Sequence, residues 1–123
     1  MMRVNGDIQK RDEGVERMKL TKHIYTIDEI MDKINPILYK YKIEKAYIFG
    51  SYARGEATSE SDVDLYIPLL PSKMGIRYFG MYEDIQNAIE KRIDVITDNT
   101  AFNSDEEKQN FFASVNKDKE AIL

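Results

Sequence analysis

Two apolar stretches separated by a short polar connection constrain this chain more than anything else in it. The first is Lys-Ala-Tyr-Ile-Phe-Gly over residues 45–50. It is short, apolar and rich in aromatic and β-branched side chains, the mark of a buried strand. The second is Asp-Val-Asp-Leu-Tyr-Ile-Pro-Leu over residues 62–69. It alternates polar and apolar and should stop at Pro68, since proline cannot donate to a sheet ladder. So short a connection predicts that the two strands are antiparallel neighbours. Successive side chains on a strand point to opposite faces. Asp62, Asp64 and Tyr66 therefore share one face, and Val63, Leu65 and Ile67 the other, which should meet the core.

Helical signals surround this pair. Thr26 and Glu29 form a capping-box pattern, followed by Ile27, Ile30, Met31, Ile34, Ile37, Leu38 and Tyr41 at helical spacing. The spacing predicts a helix from about 27 to 40, bent near Asn35 because Pro36 removes a hydrogen bond. A second helix is expected over residues 76–92, with Ile76, Phe79, Tyr82, Ile85 and Ile89 near one face. Ile-Asp-Val-Ile-Thr (93–97) reads as a third strand. A last helix opens after Ser104, an N-cap followed by acidic residues, and Glu-Ala-Ile-Leu at 120–123 reads as a last strand. The order is α-β-β-α-β-α-(β): an α/β (α+β) domain in which helices pack on a mixed sheet. Residues 51–61 are read as a connection carrying two functional-looking glycines, Gly50 at its head and Gly55 within it.

With 123 residues the chain has apolar material for one core. Residues 1–23 stand apart as a charged N-terminal extension, loosely docked or disordered, with 24–123 as the domain. In that segment Arg3, Lys10, Arg11, Arg17, Lys19 and Lys22 outnumber Asp7, Asp12, Glu13 and Glu16, whereas the whole chain carries a net charge of −4. Met18 would serve as a start of its own. The chain has no cysteine, which excludes disulfide frameworks, cysteine zinc sites and cysteine nucleophiles. It has no apolar run of membrane-spanning length and no signal-peptide pattern at its start, so a cytoplasmic protein without membrane association is expected. Its acidity argues against general nucleic-acid binding, which rests on neutralising phosphates. A single nucleotide is still within reach if a metal supplies positive charge.

Asp62 and Asp64 repel each other, and no cation stands beside them in sequence to relieve this. A divalent metal would, and oxygen-rich sites suit Mg²⁺ or Mn²⁺. Asp-x-Asp alone can equally be a solvated strand edge or a turn cap. The upstream Gly-Ser turn, however, offers amides and a hydroxyl that can hold a phosphate, and Gly55 permits unusual backbone geometry. Asp94 interrupts an otherwise apolar strand, which is costly unless it is exposed or paired. Three carboxylates on neighbouring strands fit a two-metal site for phosphoryl displacement. The chain lacks a G-x-x-x-x-G-K-[ST] loop, a G-x-G-x-x-G turn and an EF-hand. Its one histidine, His23, is expected on the surface.

Gly50-Ser51, ten intervening residues, then Asp62-Val63-Asp64 resembles the signature of the polymerase-β-like nucleotidyltransferase superfamily. The stretch from Lys45 to Ile67 is similar to its minimal nucleotidyltransferase (MNT) family, and Asp94 falls where that family carries its third carboxylate. The resemblance covers about residues 25–123. It implies the polymerase-β-like nucleotidyltransferase fold, with Gly50 and Ser51 on the triphosphate of ATP. Asp62 and Asp64 would hold two Mg²⁺ ions. Asp94 would help bind the catalytic metal and activate the attacking hydroxyl. Arg54 would lie near the phosphates or support the loop, although it can equally pair with Glu56.

The implied reaction is transfer of a nucleoside monophosphate with release of pyrophosphate. Larger relatives carry further domains for the second substrate. A chain this small resembles instead the antitoxins of HEPN/MNT toxin–antitoxin pairs. This implies a cognate HEPN ribonuclease toxin as partner in a hetero-oligomer, inactivated by AMP transfer from ATP to a tyrosine hydroxyl. Two alternatives are a binding-only antitoxin that occludes its toxin and a small-molecule nucleotidyltransferase whose acceptor site is on another chain. Tyr78, Met81 and Tyr82 are candidates for a partner surface or for plain core packing.

Overall fold

The computed structural model describes residues 19–123. The readings placed on residues 1–18, the second start at Met18 among them, lie outside the described residues. Residues 19–23 are joined to the domain: the Thr21 amide donates to the Glu90 carbonyl at 2.9 Å, and Lys22 pairs with Glu60 at 2.9 Å.

Helix α1 spans Ile27–Lys40. Both halves of its capping box are made, Thr26 Oγ1 accepting from the Glu29 amide and Glu29 Oε1 from the Thr26 amide. It continues through Pro36 and buries Ile30, Ile34 and Leu38. Strand β1 is Tyr47–Phe49 and β2 is Val63–Tyr66. They pair antiparallel with Phe49 opposite Asp64 and Tyr47 opposite Tyr66, as the short connection requires. That connection is not all loop: Gly50–Arg54 forms one short helix, α2, closed by Gly55 at φ +74°. Five residues are too few to show a helical period.

Helix α3 is Arg77–Ile89. Its buried stripe is Met81, Ile85 and Ile89, with Tyr78 and Tyr82 packed partly against the core. Ile76 and Phe79, expected on that stripe, are 82% and 69% exposed. Ile76 precedes the helix, so the period does not extend to it. Met81 is therefore core rather than partner surface. Strand β3, Ile93–Ile96, returns parallel to β2 with Asp64 opposite Asp94. Helix α4, Asp105–Asp118, starts with Ser104 Oγ accepting from the Glu107 amide. Strand β4, Glu120–Ala121, pairs antiparallel with β1. The sheet order is β3-β2-β1-β4.

Both faces of this mixed sheet are covered. Ile48, Val63, Leu65 and Ile93 pack against α1 and α3. On the other face Phe49 and Tyr66 pack against Val115 of α4, with Phe111 and Phe112 alongside. Asn35 of α1 ties this body to the C-terminal strand region, donating from Nδ2 to the Ile122 carbonyl at 2.7 Å. Among the described residues no helix is long and apolar enough to cross a membrane.

Candidate active site

The sheet face under α4 is divided. Tyr66 and Ile96 lie opposite each other and belong to the aromatic half. Two pairs earlier on the same strands, Asp64 and Asp94 also lie opposite each other. Parallel strands in register thus bring together two carboxylates 30 residues apart in sequence. Asp62 stands just ahead of β2 and is exposed, as is Asp94; Asp64 is half-buried. The alternation reading placed Asp64 and Tyr66 on one face, and they are there.

The charge cluster leaves its mark on Asp64. Its carboxyl is raised from the usual 3.8 to about 6, first by burial, then by the neighbouring charges of Asp94 and Asp62, with Arg54 opposing. A half-buried carboxylate beside two others holds its proton because the charged form is poorly solvated and repelled.

Gly50 sits directly against this group. Its φ is +74°, and a Cβ there would run into the Asp64 carboxylate, with Cγ at 3.2 Å and Oδ2 closer still. Glycine is therefore needed twice, for the left-handed backbone and for the close approach. Gly55 is needed only for its left-handed backbone, since a Cβ there meets nothing within 4 Å. Ser51, half-buried, follows Gly50 at the head of α2. Arg54 ends α2 and is anchored twice: Nε donates to Glu56 Oε1 at 2.9 Å and a terminal nitrogen to Asp118 Oδ2 at 3.0 Å. The pairing with Glu56 foreseen in the sequence is present. The tie to the last residue of α4 is not legible in sequence, being 64 residues away. Arg54 remains close enough to depress the Asp64 carboxyl.

The donor chemistry fits a hard divalent cation: carboxylates from two adjacent strands and the turn before one of them, with no sulfur or imidazole among them. The mutual repulsion recorded at Asp64 is what such an ion relieves. Among the described residues no three acidic or imidazole side chains are gathered closely enough to cage an ion as they stand. Exposed Asp62 and Asp94 are the arms with freedom to turn. His23 is exposed, 3.2 Å from Glu29 Oε1, at the start of α1.

Sequence reasoning passed over Lys91. It is the one buried charged residue among those described, 3% exposed. A signal was available: Lys91 stands two residues before Ile93, so strand alternation carries it to the core side.

Comparison with known proteins bears on the family and the fold. Residues 32–116 match the family described as "Polymerase beta, Nucleotidyltransferase". Two curated relatives from Methanocaldococcus jannaschii are each named "Putative protein adenylyltransferase". One is 36% identical over 74 residues, covering 60% of this chain and 80% of its own. The other is 32% identical over 80 residues, covering 64% and 93%. Among solved structures, a chain of a toxin–antitoxin complex with AMP-PNP superposes with a TM-score of 0.59 at 19% identity. That match covers 76% of this chain and 72% of the other. A chain from the complex of tri-AMPylated Shewanella oneidensis HEPN toxin with MNT antitoxin gives 0.55 at 16% identity, covering 80% and 72%. At such identities these two matches speak for the fold.

Proposed function

The chain belongs to the polymerase β nucleotidyltransferase family, and from that premise we propose that it is an antitoxin that transfers AMP from ATP to a tyrosine hydroxyl of a cognate HEPN ribonuclease toxin. The observation that carries this reading is the in-register pair Asp64–Asp94 with Asp62 beside it and the Gly50 backbone packed on Asp64. Relatives named as protein adenylyltransferases support protein as the acceptor and AMP as the group moved. The toxin as acceptor is supported by a shared fold with chains from toxin–antitoxin complexes.

Asp62, Asp64 and Asp94 would hold two Mg²⁺ ions. Bound there, Mg²⁺ supplies the positive charge that lets a triphosphate approach an acidic site. Gly50 and Ser51 would present backbone amide and hydroxyl to the triphosphate, and Arg54, at the other end of the short α2, would add charge. Asp94, exposed at the sheet edge, accepts the proton of the tyrosine hydroxyl. The phenolic oxygen then forms a bond to the α-phosphorus. The bond from that phosphorus to the bridging oxygen of the β-phosphate breaks, and pyrophosphate leaves with the electron pair. The toxin and this chain together would form a hetero-oligomer.

The test is incubation of purified chain, Mg²⁺, ATP labelled on the α-phosphate, and a cognate HEPN toxin. Label on a toxin tyrosine, lost with Asp94→Asn, is the expected result. Two folded proteins without transferred label refute it. An Asp64→Asn chain that still binds and fully neutralises the toxin would assign neutralisation to occlusion alone.

A further inference from the structure

Lys91 has no part in the chemistry above, yet it is buried to 3% exposure at the foot of β3. A buried ammonium is costly, and an apolar side chain of similar size is often neutral or stabilising in its place. Its position points to a role other than stability. Its Nζ donates to the Ser59 carbonyl at 3.0 Å. Ser59 lies in the turn Thr58–Ser61, which closes on itself: Ser61 donates its amide to the Thr58 carbonyl at 3.1 Å, and Ser61 Oγ accepts from the Thr58 amide at 2.9 Å. Asp62 follows this turn directly.

Among the described residues, only two hydrogen bonds tie residues 57–62 to the rest of the molecule. One is Lys22 to Glu60, between side chains 82% and 75% exposed, a class of pair that holds little. The other is the part-buried, charge-assisted bond from Lys91, of the stronger kind. A cleft of about 60 Å³, lined by Thr21, Lys22, Ser59, Ser61, Asp62 and Lys91 among others, has the lysine and Asp62 in one wall. Such a volume admits about two waters to meet the remaining ammonium hydrogens.

We propose that Lys91 is a positioning residue: from beneath the sheet it grips the Ser59 carbonyl and so sets the turn that delivers Asp62 beside Asp64 and Asp94. This rests on the reading of Asp62 as a metal ligand, and it assigns to Lys91 no contact with nucleotide or ion. Asp64 is fixed by its strand and Asp94 by its own. Asp62, outside the ladder, needs an external hold, and Lys91 supplies it.

The experiment is a Mn²⁺ titration read by loss of the free-ion electron paramagnetic resonance signal, with no turnover needed. The proteins are wild type, Lys91→Met, Asp62→Asn and the double variant. Lys91→Met should fold, with an unchanged or higher melting temperature, and bind Mn²⁺ about tenfold more weakly, the usual scale for removing a support behind a ligand. In the Asp62→Asn background the same change should cost nothing further, because both act through one group. Lys22→Ala should bind as wild type does. Amide exchange at residues 59–62 should rise in Lys91→Met without metal.

Unchanged Mn²⁺ affinity in Lys91→Met overturns the assignment. So does an equal loss in both backgrounds, an equal loss in Lys22→Ala, or a wild type whose Mn²⁺ binding does not depend on Asp62. If Lys91→Met does not fold, Lys91→Gln goes through the same cycle; failure of both to fold makes Lys91 a stability residue and overturns it too. A wild type that binds Mn²⁺ through Asp62 yet labels no toxin would refute the proposed function and leave this assignment standing.

Discussion

Replacing Asp64 by asparagine should stabilise the metal-free protein at neutral pH. The folded-state carboxyl titrates near 6 against an ordinary 3.8. A raised carboxyl means that the folded state holds its proton more tightly than the unfolded chain does. Stability from this group is therefore fully present below pH 3.8 and is lost as pH rises through about 6. Roughly two units at 1.36 kcal/mol each set a ceiling of about 3 kcal/mol. Asp64 keeps some solvent contact, and screening brings the expected figure down to about 1 kcal/mol.

Asparagine keeps the shape and drops the charge. With EDTA present, Asp64→Asn should therefore melt a few degrees above wild type at pH 7.5. The gap should close toward pH 4 and be flat above about pH 6.5. Added Mg²⁺ and ATP should reverse the order, since only the wild type then gains stability from binding. A variant that melts at or below wild type at pH 7.5, or a gap that does not change with pH, refutes the electrostatic reasoning.

Three other outcomes follow from the geometry. Gly50→Ala should lose about 1–2 kcal/mol from its left-handed backbone and about 1–3 more from collision with Asp64; urea unfolding of Gly50→Ala with and without Asp64→Ala separates the two, and only the second part should be relieved. Arg54→Ala should cost little stability, since Arg54 and Glu56 are exposed and only Asp118 is largely covered, while nucleotide transfer falls; a large stability loss with activity intact would place Arg54 in loop support. Thr26→Ala should cost about 1 kcal/mol through the lost cap of α1 and leave Mn²⁺ binding as it was, a dissociation that denaturant melts and ion titration can check together.

The sheet and its carboxylates were legible in sequence because strand alternation is short-range and strict. Asp-Val-Asp-Leu-Tyr assigns its own faces, and Ile-Asp-Val-Ile does the same. That Asp64 and Asp94 meet depends on register, which no local pattern states; two parallel strands in step supply it. Helix α2 was missed because five residues carry no period. The stripe of α3 was misplaced at its first turn, where Ile76 and Phe79 imitate a buried face that Met81 in fact begins. Lys91 went unseen because a lysine before a strand usually means solvent, and only the three-dimensional path of the Thr58–Ser61 turn gives its ammonium an acceptor.

β3 is the outer strand on one side of the described sheet, and Asp94 is its second residue. An outer strand offers an unpaired backbone edge to any other chain, and proteins discourage that with charge. The carboxylate assigned to proton transfer is thus also a deterrent to self-association. Evolution or engineering that retires the chemistry by neutralising Asp94 would at the same stroke leave the strand edge around Val95 without that charge, Ile93 being buried with its backbone already held by Gln86 and Tyr82. Loss of activity in an Asp94→Asn sample therefore has to be judged beside its light scattering, so that a missing base is not mistaken for a precipitating sheet.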